Sequence, residues 1–185
     1  MNPNALLDGR AHGLEEGAEL TSRGRTITEG DLTSFSALTG DWHPQHSDAE
    51  WAARSRFSRR VAHGMLVLSY AIGLVPFDPE RVVALRGLES ARFKRPVAIG
   101  DTIRVRCRVE STRPLDDDHA LAQMAFRVVN QDDRAVAVAL VEAVCRETAD
   151  GLVGPDPDPA GDRTTYRAGA WADDALDLYG GEAYL

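Results

Sequence analysis

The chain has 185 residues, 43% of them hydrophobic, enough for one globular domain that buries about two thirds of its unfolded surface. Its net charge of −8 excludes a general nucleic-acid binder, which needs a basic face. Its longest apolar run, residues 64–76, falls well short of the roughly 20 residues a membrane span needs, and the first thirty residues contain no apolar stretch of the secretory kind, so a soluble, cytoplasmic protein is expected.

The first twenty residues have no clear periodicity and read as an irregular lead-in to a domain over 21–147. Residues 25–28 suit a short strand. Thr28 has the chemistry of a helix N-cap, with Asp31 in the first turn, where a carboxylate favours the helix dipole. That helix runs through Leu32, Phe35, Ser36 and Leu38 and stops at Gly40. After a polar stretch, residues 64–76 are apolar in nearly every helical direction, which favours a helix that is buried all round and ends at Pro76.

The second half changes period. Val82 to Phe93 reads as a strand with a bulge or close backbone contact at Gly87. In residues 101–110, Ile103, Val105, Cys107 and Val109 alternate with Arg104, Arg106, Arg108 and Glu110, the pattern of a half-buried strand. Residues 120–129 and 135–145 supply two more, the last with an alanine-rich face that lets another layer or subunit approach closely. Four long strands joined by short turns make a mostly antiparallel sheet, and the wholly apolar helix needs a place to hide. The economical solution is an α+β domain with a single antiparallel sheet wrapped around a buried central helix, the hot-dog architecture.

Cys107 and Cys145 lie inside strands without metal-ligand spacing and read as buried hydrophobes in a reducing compartment. From Thr148 the composition shifts to a Pro/Gly-rich linker and an acidic tail of net charge −6, leaving only −2 for residues 1–147. The tail's Tyr166, Trp171, Leu176 and Tyr179 are apolar for a free segment, and the sequence leaves open whether they dock.

The chemistry lies in residues 38–52. Asp41 and His46 sit five residues apart on a loop bounded by Gly40 and stiffened by Pro44, and such a pair can take a proton from one group and give one to another. Gly40-Asp41, Pro44 and His46, followed by Ala62-His63-Gly64 and by Phe93-Lys94-Arg95-Pro96-Val97 with Gly100-Asp101-Thr102, resemble the MaoC-type hydratase pattern over about residues 24–146. The resemblance implies a hot-dog fold and reversible hydration of an enoyl thioester, bound to CoA or a carrier, to its (R)-3-hydroxyacyl form. It implies that Asp41 and His46 hold the catalytic water, and that the Gly64 amide receives the thioester oxygen at the free end of a helix. His43 and His63 are further substrate-side candidates.

Two positions depart from the family's pattern. His43 stands where an Asn is usual, and Gln45 where an aliphatic is usual; the latter suggests a more polar pocket mouth and a short or oxygenated acyl group. Arg54, Arg56, Arg59 and Arg60 form one basic stretch and Lys94 with Arg95 another, both suited to the phosphates of CoA or phosphopantetheine. No cofactor or metal is implied, because the five histidines lack ligand spacing and no Gly-rich phosphate loop is present. The partner expected is a second copy in a homodimer, with no nucleic acid and no membrane. A non-catalytic acyl-thioester binder, a subunit of a heteromeric dehydratase and a thioesterase on the same fold are the alternatives.

Overall fold

A computed structural model describes residues 16–146, so most of the irregular lead-in, His12 included, and the acidic tail lie outside the described residues. In chain order the elements are β1 (Glu19–Thr21), β2 (Arg25–Thr26), α1 (Glu29–Thr39), α2 (Pro44–Ser47), α3 (Ala49–Arg54), α4 (Gly64–Leu74), β3 (Val82–Phe93), β4 (Thr102–Pro114), β5 (His119–Val129) and β6 (Ala135–Arg146). Helix α1 begins and ends as its sequence dictates. Thr28 and Asp31 exchange hydrogen bonds in a capping box, and Gly40 closes the helix in the left-handed region at φ 77°. The strand expected over residues 25–28 is shorter, Arg25–Thr26, and a separate strand, β1, draws Glu19 and Leu20 out of the lead-in and pairs them with Arg108 and Cys107 of β4.

The sheet runs in the order β1-β4-β5-β6-β3, with β2 also on β4, and every pairing is antiparallel. Strand β3 therefore lies at one edge beside β6, while β4, next in sequence, lies near the other. The connection over residues 94–101 must cross the fold between them. On its way the Ala62 amide donates to the Val97 carbonyl at 2.7 Å, and Val61 bridges Ala98. This crossover brings the residues after β3 alongside those before α4.

The core lies between the sheet and α4. Ile103, Val105, Cys107 and Val109 of β4 meet Met124, Phe126 and Val128 of β5, Val141 and Ala143 of β6, and Leu66, Val67 and Ala71 of the helix. The alternation in β4 thus sends its apolar set inward and its arginines outward. Strands β5 and β6 are buried on both faces, which explains why their sequences do not alternate cleanly with polar residues. The register slips between Leu85 and Gly87, at the glycine that suggested a bulge; a Cβ on Gly87 would stand 3.2 Å from a Glu142 carboxylate oxygen. Both cysteines are free and buried, and burial pushes their thiols up, that of Cys145 to about 11.

The central helix corrects one expectation. It is not buried all round: Leu66, Val67, Leu68 and Ala71 are, but Met65 is 51% exposed and Ser69 and Gly73 are also exposed, one stripe along the helix. A sheet curled over a helix covers only the directions it faces, and residues four apart share the uncovered side. Among the described residues no helix is long and apolar enough to cross a membrane.

Phe126, 1% exposed at the middle of β5, is the largest fully buried side chain of the core. Phe126→Ala is expected to cost about 3–5 kcal/mol of unfolding free energy, read as a lowered midpoint in urea at unchanged slope. A cost below 1 kcal/mol would show that the sheet does not close on the helix as described.

Candidate active site

The loop after α1 is built by short-range hydrogen bonds. Thr39 Oγ1 accepts from the Asp41 amide at 3.3 Å, and Asp41 Oδ1 accepts from the His43 amide at 3.2 Å. His43 is the N-cap of α2, and its Nδ1 accepts from the Gln45 amide at 3.1 Å. The imidazole at 43 therefore does the capping that an Asn amide oxygen does, and it rests edge-on against Trp51 at 5.5 Å. It is a builder of the loop. Helix α3 is capped in the same manner by Asp48, whose Oδ1 accepts from the Trp51 amide.

His46 on α2 points its Nδ1 at the Val61 carbonyl, 2.7 Å away. A carbonyl can only accept, so Nδ1 carries the hydrogen and Nε2 keeps its lone pair. Burial lowers the imidazole below its ordinary 6.5; the bond to Val61 and the Asp41 charge pull the other way, and His63 and His43 push with the burial. The balance of these favours the uncharged ring, with one basic nitrogen free.

His63 lies underneath, 2% exposed, with its ring stacked on that of His46 at 3.8 Å between centroids. Its Nε2 donates to the Asp41 carbonyl and is also 3.1 Å from Ser36 Oγ, while its Nδ1 is buried without a hydrogen-bond partner. That burial removes His63 from the substrate-side residues, since it stands beneath the loop and not on the cavity wall. One carboxylate oxygen of Asp41 and one ring nitrogen each of His46 and His63 all lie within 4.8 Å of one another. A single water making two hydrogen bonds of about 2.8 Å spans such a gap. The histidines lack ligand spacing along the chain, yet these three groups are close enough in space to hold a metal ion. His46 Nδ1 and His63 Nε2 are already engaged with backbone carbonyls, leaving one nitrogen of each.

A cavity of about 260 Å³ opens beside His46, lined among others by Gln45, Phe57, Gly64, Phe93, Lys94 and Arg95. It brings His46 and Gly64 to one wall, while Asp41 is exposed and stands outside the lining. Gly64 opens α4, and its cap, His63, makes no side-chain hydrogen bond to the first turn, so the helix's leading amides are not claimed by a side-chain cap. Phe93 packs on Gly64 beside the cavity: a Cβ at 64 would meet its ring at 2.8–2.9 Å. Glycine is needed for the aromatic ring of Phe93, half-exposed at the sheet edge, to lie on the backbone.

The two basic stretches separate. Lys94 and Arg95 line the cavity, and Arg95 also donates to the Ala135 carbonyl at 2.7 Å. Burial lowers the Lys94 ammonium, as do the neighbouring cations Arg92, Arg127 and Arg95. Arg59 and Arg60 line a different hollow with Ala49, Ser58 and Ile99, and Arg60 is paired with Glu29 at 2.7 Å. Arg54 ends α3 at the surface and Arg56 is exposed; neither lines the cavity of His46. His119, given no role from sequence, is paired with Asp116 at 2.8 Å. Two members of the site carried no sequence signal of their role. The Val61 carbonyl is visible only once residues 61 and 98 bridge, and Phe93 only once β3 lies at the edge beside α4's start.

An antiparallel sheet curled over one helix defines a hot-dog domain, and an acid and an imidazole stand near that helix's leading end. The family model described as MaoC like domain matches residues 13–129, more than half of the chain, and the chain belongs to that family. Protein MaoC of Klebsiella aerogenes is 43% identical over 94 residues, 50% of this chain but only 28% of that protein's length. The (R)-specific enoyl-CoA hydratase of Rhodospirillum rubrum is 32% identical over 114 residues, 62% of this chain and 78% of that enzyme. Among solved structures, an unliganded (R)-hydratase from Pseudomonas aeruginosa aligns at a TM-score of 0.61 and 33% identity, over 80% of this chain and 94% of that one. A Mycobacterium tuberculosis protein with a double hot-dog fold aligns at 0.66 over 84% of this chain and 50% of that one; at 23% identity it speaks for the fold alone.

The tautomer and the lowered basicity of His46 can be read by nitrogen-detected NMR. Because the shift is downward, the ring is expected to stay neutral at pH 7, with the hydrogen on Nδ1, and to protonate only below pH 6.5. A midpoint above 6.5, or the hydrogen on Nε2, would contradict the geometry.

Proposed function

We propose that this chain catalyses the reversible hydration of a trans-2-enoyl thioester to the (R)-3-hydroxyacyl thioester, with Asp41 and His46 as a coupled acid–base dyad. The observation that carries this reading is the His46 ring, its Nδ1 tied to the Val61 carbonyl and its other nitrogen free, within a water's span of the Asp41 carboxylate and lining one cavity with Gly64. The names of the relatives agree in chemistry, since they include (R)-specific enoyl-CoA hydratases and a 3-hydroxybutyryl-CoA dehydratase.

In the forward direction the dyad removes a proton from water as its oxygen bonds to C3 of the acyl chain. The double-bond electrons move to C2 and the carbonyl, and the enolate oxygen finds a donor in the Gly64 amide. The dyad then returns a proton to C2, so atoms and charge balance. Base and acid are assigned to the pair and not to either residue alone. An amide at a helix's leading end, in a site shielded from water, is worth roughly 2.7–4 kcal/mol to such an oxyanion. Phe93, on the cavity lining beside Gly64, serves as a wall for the thioester. His63 holds the Asp41 loop and stacks on His46, acting on substrate only through them. Lys94 and Arg95, with Arg92 and Arg127 beside them, suit the phosphates of CoA or of a carrier's prosthetic arm.

The functional unit we propose is a homodimer. Strand β3 is an edge, and Val83, Leu85, Leu88 and Phe93 on it are exposed apolar residues, as is Met65 at the start of α4. An uncovered apolar edge is a template for pairing, and a second copy blunts it. The site adjoins this edge through Phe93.

Two measurements test these readings. Asp41→Asn and His46→Ala are each expected to lower turnover of an enoyl-CoA at least roughly 10²-fold, followed by loss of its ultraviolet absorbance, with melting nearly unchanged. Full activity in either variant removes the dyad. Light scattering of the whole chain is expected to give twice the 20.1 kDa chain mass, and a monomer at micromolar concentration refutes the dimer.

A further inference from the structure

Gln45 is spare in the loop that it belongs to. Its amide donates to His43 Nδ1 and its carbonyl accepts from the Val61 amide at 3.3 Å, so the backbone at 45 holds the loop without help from the side chain. Gln45 is 9% exposed, lines the same cavity as His46, and its Nε2 has no hydrogen-bond partner. The walls around it are mostly apolar: Phe57, Val61, Ala62, Val67, Val97 and Val136. A buried amide with nothing to bond is costly, and a leucine would fill much the same space without that cost.

The expected place for a polar residue was a pocket mouth open to water, where an unmatched amide would cost little. Burial places the residue inside instead: Nε2 as it stands is out of reach of water, so the bond to what enters the cavity is made by the carboxamide oxygen or after the amide turns over. The cations on the lining, Lys94 and Arg95, suit an anion, whereas a neutral amide suits a neutral oxygen group. A carboxamide can turn over to present either its NH₂ or its oxygen, and a hydroxyl both donates and accepts, so the two match in either orientation.

We infer that Gln45 is a specificity residue that selects acyl chains bearing a neutral oxygen substituent, a hydroxyl above all, beyond the reacting double bond. This rests on the hydratase reading above. The effect is one buried hydrogen bond gained by the oxygenated substrate and one unmatched amide imposed by the plain one. Sites built in this manner reject the analogue lacking the polar group more strongly than an apolar pocket rejects an added one. A preference of about tenfold or more is the expected size.

The test uses the full chain and CoA thioesters in two matched pairs of equal heavy-atom count. One pair is 4-hydroxybut-2-enoyl against pent-2-enoyl, the other 5-hydroxypent-2-enoyl against hex-2-enoyl. The wild type is expected to favour the hydroxylated member of at least one pair by about tenfold in kcat/KM, and Gln45→Leu to abolish or invert that ratio. Gln45→Met, flexible and of similar volume, serves as the second variant, and a ratio within one preparation is insensitive to partial loss of folded protein. A wild type indifferent within both pairs, or a ratio that survives both substitutions, overturns the specificity role and leaves the hydratase reading standing. Absence of turnover on all four thioesters overturns the hydratase reading, and this inference with it. A water bound to Gln45 that no substrate displaces would give the indifferent result.

Discussion

The hydrogen bond from His46 Nδ1 to the Val61 carbonyl, 2.7 Å long, is the contact on which the site depends. It sets the tautomer, and so decides which ring nitrogen is free to meet water. It also joins α2 to the segment before α4, which the Val97 carbonyl and the Val61–Ala98 bridge tie to the crossover from β3. Three stretches far apart in the chain thus meet at one imidazole. With the carbonyl elsewhere, the ring would turn, the stack on His63 would open, and the basic nitrogen would have no defined direction.

Around that contact the site is supported by residues that need not touch a substrate. His43 caps α2, His63 ties the Asp41 carbonyl down, and Ser36 stands against the same His63 nitrogen. His43 and His63 each do a backbone task with a side chain, which leaves His46 oriented with one ring nitrogen free. Arrangements of this kind favour catalysis because the orienting cost is met in folding and not at the moment of reaction. Asp31 plays a comparable part further back: it accepts from Tyr70 of α4 at 2.6 Å and pairs with Arg25 of β2, so the first helix and the central one are joined at a single carboxylate.

The chemistry sits where the sheet is least complete. Phe93 ends the edge strand β3 and Lys94 follows it; both line the cavity and Phe93 also packs on Gly64, so closure of the edge and access to the cavity involve the same few residues. The proposed dimer and the proposed reaction therefore share a boundary. The proposed selection by Gln45 acts within the same lining, where the loop's own hydrogen bonds leave a side chain to spare.

Much of this was legible in the residues themselves. The alternation of β4, the Thr28 and Gly40 ends of α1, the Gly87 irregularity and the Asp41–His46 loop are local, governed by a period of two, a capping side chain or a backbone angle, and local rules act before any tertiary contact forms. What lay beyond the sequence was long-range. The uncovered stripe of Met65, Ser69 and Gly73, the packing of Phe93 on Gly64, the parting of the two basic stretches and the burial of His63 and Gln45 all depend on which segment lies opposite. Apolar character says that a side chain prefers to leave water; only the closed sheet, with β3 sent to the far edge and its crossover laid against α4, decides what it meets there.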